Sequence, residues 1–135
     1  MNLPAMNGYL SFYRDMMTTP KSHQRRGKSF EVDLVKEIRE NGLEAERLAL
    51  AGSLDEGDVV ATLKDGSRIV FEAKAPGAGN KIDLSGWLNE ADTERANYIK
   101  ARGLNPEKVK RAVVIKARGK GIKDAYVVQR LSDIL

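Results

Sequence analysis

The stretch GDVVATLKDGSRIVFEAK, residues 57–74, limits what this chain can fold into more than any other segment. Two apolar runs flank Asp65-Gly66, which predicts a β-hairpin. Loop length sets the pairing. A two-residue turn at Asp65-Gly66 puts apolar residues across from Arg68 and Glu72, and splits Asp58 and Glu72 between the two faces. A three-residue loop, Lys64-Asp65-Gly66, places glycine at the left-handed position. It pairs Val59 with Phe71, Ala61 with Ile69 and Leu63 with Ser67. Only this second register makes one nearly pure apolar face, so it is the expected one.

In that register Asp58 lies directly opposite Glu72, and Lys74 follows two residues on along the same side. Opposed carboxylates repel and raise each other's pKa. A divalent cation removes the repulsion, and Mg2+ is typically held by one or two carboxylates plus water and phosphate oxygens. Lys74 is then placed to hold or deprotonate an attacking water and to meet phosphate charge. The competing reading is a surface cross-strand ion pair, which is common and stabilises little.

Around the hairpin the pattern is that of a mixed α/β domain. Tyr9, Phe12, Tyr13 and Met16 share one side of a short predicted helix, and TTPKSHQRRGK reads as a loop. Phe30, Leu34, Val35 and Ile38 give a helical period from Lys28, stopped at Asn41-Gly42. Glu31 falls on the apolar side of that helix. It is either a carboxylate aimed at a functional site or an acid in the first turn favoured by the helix dipole. A strand is expected over Ala45–Leu50, with AGSLDEG as a loop. Asp83 or Ser85 caps a second helix marked by Leu84, Trp87, Leu88, Ala91, Tyr98 and Ile99, closed by Gly103. Trp87 is a core residue or an interface anchor. RAVVIK and DAYVVQ are strands on either side of the loop ARGKGIK. The order α-β-β-β-α-β-β predicts a central mixed β-sheet flanked by helices.

A chain of 135 residues is long enough for one real core. It has no cysteine, which excludes disulfides and thiolate chemistry, and one histidine, His23, which excludes mechanisms needing two. No apolar run suggests a signal peptide or a membrane span, so a cytoplasmic protein is expected. The net charge is +4. Seven cations lie between Lys108 and Lys123 with no acid among them, while acids gather over residues 31–58. That asymmetry suits a polyanion with a cation between, or else a solvated lysine-rich surface.

Asp58, the hairpin, Glu72-Ala73-Lys74 and a preceding helix carrying Glu31 together resemble the PD-(D/E)XK nuclease superfamily, with its restriction-endonuclease-like core. Gly57 stands where the pattern has proline. Within the superfamily the chain is similar to archaeal-type and phage Holliday junction resolvases, whose first helix begins R-x-G-x-x-x-E. Here those positions are Arg25, Gly27 and Glu31, and Arg47 and Gly52-Ser53 precede Asp58 as the family's next segment would. The likeness is best over residues 25–75 and extends to about residue 129.

The resemblance implies a metal-dependent endonuclease of DNA recombination and repair, cutting four-way junctions as a homodimer. It implies Mg2+, with Mn2+ as a substitute, held by Glu31, Asp58, Glu72 and the Ala73 carbonyl. Lys74 would be the catalytic lysine. Arg25, Arg26, Lys28, Arg47 and Ser53 would contact DNA, joined by Arg118, Lys120 and Lys123 of the basic loop, where Gly119 and Gly121 allow close phosphate approach. On this reading residues 1–24 are an N-terminal arm and residues 25–135 the nuclease domain. Two alternatives stand beside it: another repair or restriction-type nuclease of this superfamily, and a non-catalytic DNA-binding domain on the same fold. The second has no use for paired acids.

Overall fold

The computed structural model describes residues 20–49 and 54–135, with side chains from Gly27 onward in that range. The short helix expected around Tyr9 and Met16 lies outside the described residues.

Helix α1 runs Pro20–Glu40. It starts well before Lys28, so the loop expected over residues 18–28 is wrong from Pro20 onward, and the expected arm boundary at residue 24 falls inside the helix. Arg, Gln and Lys propagate a helix well enough without an apolar stripe to announce it. The early start also removes one reading of Glu31, which is not in the first turn and owes nothing to the helix dipole there.

Strand β1 is Glu44–Arg47, β2 Val59–Thr62 and β3 Arg68–Lys74. Helix α2, Leu84–Arg102, then leads to β4, Val109–Ile115, and β5, Tyr126–Val128. The strands lie side by side in chain order in one sheet; β3 and β4 are parallel and the other pairs antiparallel. The expected mixed sheet with flanking helices is what forms, though β1 ends at Arg47 rather than Leu50. Among the described residues no helix is long and apolar enough to cross a membrane.

The hairpin adopts the three-residue loop. Val59 pairs with Phe71 and Ala61 with Ile69, Leu63 N–H donates to the Ser67 carbonyl at 2.8 Å, and Gly66 takes φ 85°. Alternation along the sheet then sorts residues to two helices. Phe71 and Ala73 pack with Phe30, Leu34, Val35, Val59 and Val114 under α1. Val60, Val70 and Val109 pack with Tyr98, and Val113 and Ile115 with Leu88 and Ala91, under α2. Asp83 caps α2 by accepting from Gly86 N–H at 2.9 Å, and Gly103 ends it in the left-handed region. Leu84, expected on the buried stripe, is exposed at the first position of the helix.

Beyond the Val59–Phe71 pair the register slips by one. Asp58 N–H donates to the Phe71 carbonyl at 3.0 Å, so Asp58 is not squarely opposite Glu72 as expected. Its Oδ2 instead accepts from Ala73 N–H at 2.8 Å. The slip follows from Gly57, which takes φ 103°. A Cβ on Gly57 would come within 2.6 Å of Val70 Cγ1 and 3.7 Å of Glu94 Oε2. Proline, the residue usual at this motif position, is fixed near a φ of about −65° and cannot adopt this backbone. Gly57→Ala should therefore lower the unfolding free energy by about 3 kcal/mol, the sum of left-handed strain and crowding. Urea denaturation measures it; an unchanged midpoint would show that the turn relaxes freely.

Candidate active site

The hairpin end and the facing helices bring six carboxyl groups into one region. Glu31 comes from α1, Asp55 and Asp58 from the approach to β2, Glu72 from β3, and Glu90 and Glu94 from α2. The segment before β2 is tied to α2. Asn97 Nδ2 donates to the Asp55 carbonyl at 2.8 Å, Arg102 pairs with Glu56, and Asp55 Oδ1 accepts from Gly57 N–H at 2.9 Å.

Glu72 is 5% exposed and Glu94 2% exposed. Glu72 Oε2 and both Glu94 oxygens have no hydrogen-bond partner when the two are ionised. Two carboxylates offer each other only acceptors. Either a proton or a cation must therefore lie between them. In the metal-free molecule the proton goes to Glu94. Burial, then the neighbouring Glu72, push its carboxyl up to about 11. Burial raises Glu72 to about 7 against the hydrogen bond shared with Glu94, while Asp58 adds a like charge.

Lys74 Nζ lies 3.2 Å from Glu72 Oε1 and 3.0 Å from Glu90 Oε2, and 5.7 Å from the centre of the Trp87 ring. Burial works against its charge, but Glu72 and Glu90 prevail and hold it above the usual lysine range. It stays an ammonium. Burial raises Asp58 as well, opposed by the Ala73 N–H bond. On the other side of the sheet end Glu31 is half-buried and accepts from Arg47 Nε at 3.3 Å. Burial and the Asp58 charge raise it; the Arg47 bond pulls the other way.

The structure thus joins Glu31, Asp58, Glu72, Ala73 and Lys74 in one continuous region. Ala73 enters it through its N–H. Glu31, Asp58 and Glu72 do not converge on a common point, because Glu31 is turned to Arg47 and Glu72 to Lys74 and Glu94. Among the described residues the acids that do converge are Asp55, Glu90 and Glu94, whose oxygens lie within 4.8 Å of one another. Sequence reading passed over Glu94. It follows Ala91 by three and precedes Tyr98 by four, the spacing of a buried stripe, so its position marked it. The donor set, all hard oxygen atoms with orphaned buried lone pairs among them, fits a divalent cation.

The expected DNA contacts are scattered differently. Arg25 and Arg26 lie in α1, their side chains outside the described residues, as is Ser53. Lys28 is exposed near Glu31, and Arg47 is already engaged with Glu31. Arg118 and Lys120 are exposed on the β4–β5 connection. Lys123 is exposed but pairs with Glu37 on α1 at 2.6 Å, pinning that connection to the helix. The basic tract is not one surface either: Arg111 is buried and paired with Asp92 and Asp133, because strand alternation turns it toward α2.

A family model for the archaeal Holliday junction resolvase (Hjc) matches residues 22–91. No curated protein matches the chain. Among solved structures, Archaeoglobus fulgidus Hjc, a Holliday junction resolvase from an archaeal hyperthermophile, is 17% identical, covering 72% of this chain and 73% of that one at a TM-score of 0.47.

The shared proton gives stability a pH dependence of known sign. Glu94 has an ordinary value of 4.5 and a folded value of about 11, so between them the folded state binds more protons than the unfolded one. Metal-free stability must then fall as pH rises, with Glu72 adding to the slope between 4.5 and about 7. Glu94→Gln keeps the donor and removes the titration. In EDTA, urea midpoints at pH 5 and pH 8 should differ less for Glu94→Gln than for the parent; equal slopes would mean no buried proton.

Proposed function

The chain belongs to the archaeal Holliday junction resolvase family, whose members are metal-dependent junction-resolving endonucleases, and we propose that it hydrolyses phosphodiester bonds of four-way DNA junctions with Asp58, Glu72 and Lys74 at the reacting phosphate. The observation that carries this assignment is the buried Glu72 with an orphaned oxygen, flanked by Asp58 and by a lysine kept charged.

A Mg2+ ion, replaceable by Mn2+, would polarise the phosphate and activate water; Asp58, Glu72 and the Ala73 carbonyl would hold it, and Glu31 would join them on turning away from Arg47. Asp58 is held for this by the Ala73 N–H, which fixes Oδ2 and leaves Oδ1 to a ligand. Lys74 acts as a cation against phosphate charge rather than as a base, since Glu72 and Glu90 hold its proton on. Arg47 favours the ionised form of Glu31 against burial and the Asp58 charge, and brings positive charge to that side of α1. The family resemblance implies DNA-backbone contacts for Arg25, Arg26, Lys28 and Ser53, and Arg118 and Lys120 would reach phosphates from the β4–β5 connection. Lys123 serves by holding the connection to α1. The nuclease unit takes in the whole of α1 and so starts at Pro20, ahead of the boundary expected after residue 24, and runs to residue 135. A junction presents two equivalent strands, so a two-fold pair of chains fits the substrate.

Asp58→Asn and Glu72→Gln should abolish Mg2+-dependent cleavage of a four-way junction while leaving its binding largely intact. Lys74→Ala should slow single-turnover cleavage roughly 100-fold. The gel assay offers junction, flap, duplex and single-stranded DNA; full activity in either acid variant sinks the assignment, and preferred cutting of plain duplex sinks the junction reading.

Changing both Arg118 and Lys120 to Ala should flatten the slope of log K against log salt by about 1.8, two contacts at about 0.9 each. Titrations on junction and duplex across salt concentrations measure it. An unchanged slope on both DNAs would mark the connection as solvated surface.

A further inference from the structure

We propose that Asp55, Glu90 and Glu94 form a second divalent-cation site, on the α2 side of the region and distinct from the one assigned to Asp58 and Glu72. Three observations support it. The oxygens of the three acids lie within 4.8 Å of one another, close enough for one ion to bridge them. Glu94 is 2% exposed with both oxygens unpartnered, and from β3 the 5%-exposed Glu72 leaves a further orphaned oxygen beside it. A buried acceptor with no donor costs free energy, and a cation relieves it. Asp55 is also held ready: Gly57 N–H binds its Oδ1 at 2.9 Å, and Asn97 fixes its carbonyl at 2.8 Å.

Three carboxylates and no nitrogen or sulfur donor select a hard ion of the Mg2+, Mn2+ or Ca2+ class. In the metal-free molecule the positive charge on this cluster is Lys74, 3.0 Å from Glu90. An ion bound to Glu90 would take over that partner and leave the ammonium with Glu72, 3.2 Å away.

The test is Mn2+ binding to the full chain near neutral pH, read from the free-ion electron paramagnetic resonance signal. The parent should bind two ions, and Glu94→Gln, Glu90→Gln and Asp55→Asn should each bind one. Glu90 and Asp55 are exposed, so those two variants test the site even if Glu94→Gln fails to fold. Trp87, the single tryptophan of the chain, lies one turn before Glu90 and supplies a second readout through sensitised Tb3+ luminescence, which should drop in Glu90→Gln. One ion per chain, lost in Asp58→Asn and untouched by Glu90→Gln, would overturn the site. One ion lost in Glu90→Gln but kept by Asp58→Asn would uphold it and sink the assignment of Asp58 instead.

Discussion

Glu72 and Glu94 are buried against each other, and the two cannot both stay ionised unless a cation lies between them. A carboxylate stripped of water is costly enough that it usually takes up a proton, and two of them face to face make the cost larger. The neighbouring structure is organised around that contact. The segment before β2 is tied to α2 by Asn97 and Arg102, and Lys74 meets Glu72 from the next residue but one. A stable scaffold gains nothing from such a pair. A site that must take up divalent cations gains a cavity of oxygen atoms already stripped of water.

The central parallel pair, β3 and β4, explains how acids from both layers reach one place. Strand alternation sends Phe71 and Ala73 to α1, and Glu72 and Lys74 to α2. The two-residue spacing of Glu72 and Lys74 is therefore what puts acid and ammonium on the same face. Glu31 belongs to the opposite layer and meets Asp58 only where the sheet ends. Asp58 must then sit past the last ladder pair, and the one-residue slip at Gly57 lets its carboxylate turn across the end of β3 to the Ala73 N–H.

Much of this was legible in the residues. The apolar alternation on either side of Lys64-Asp65-Gly66 admits one register, and that register formed. Asp83 and Gly103 bracket α2 because each satisfies backbone groups that the helix leaves open. What escaped had a physical reason. The start of α1 carries no apolar period, so propensity alone would have had to reveal it. Glu94 and Arg111 sit at positions where spacing says inside and charge says outside. Their burial depends on partners far along the chain: Glu72 for the one, Asp92 and Asp133 for the other. Lys123 reads as a solvated cation until α1 brings Glu37 to it. The slip at Asp58 has no local signal except Gly57, whose left-handed backbone a proline-based motif hides.

The charge state of Lys74 decides what kind of chemistry the region can support. A lysine becomes a base when burial outweighs its anionic neighbours. Here burial is outweighed: Glu72 at 3.2 Å and Glu90 at 3.0 Å hold the ammonium above the usual lysine range in the metal-free molecule. On the proposed nuclease reading, proton removal from water would then fall to another group, and the carboxylates Asp58 and Glu72, both with raised pKa, are better placed to take it. Their affinity for a proton is also what a bound cation would lower, so cation binding and proton acceptance compete for the same oxygens. On the proposed nuclease reading, Lys74 would supply positive charge toward the phosphate while the carboxylates exchange proton for cation.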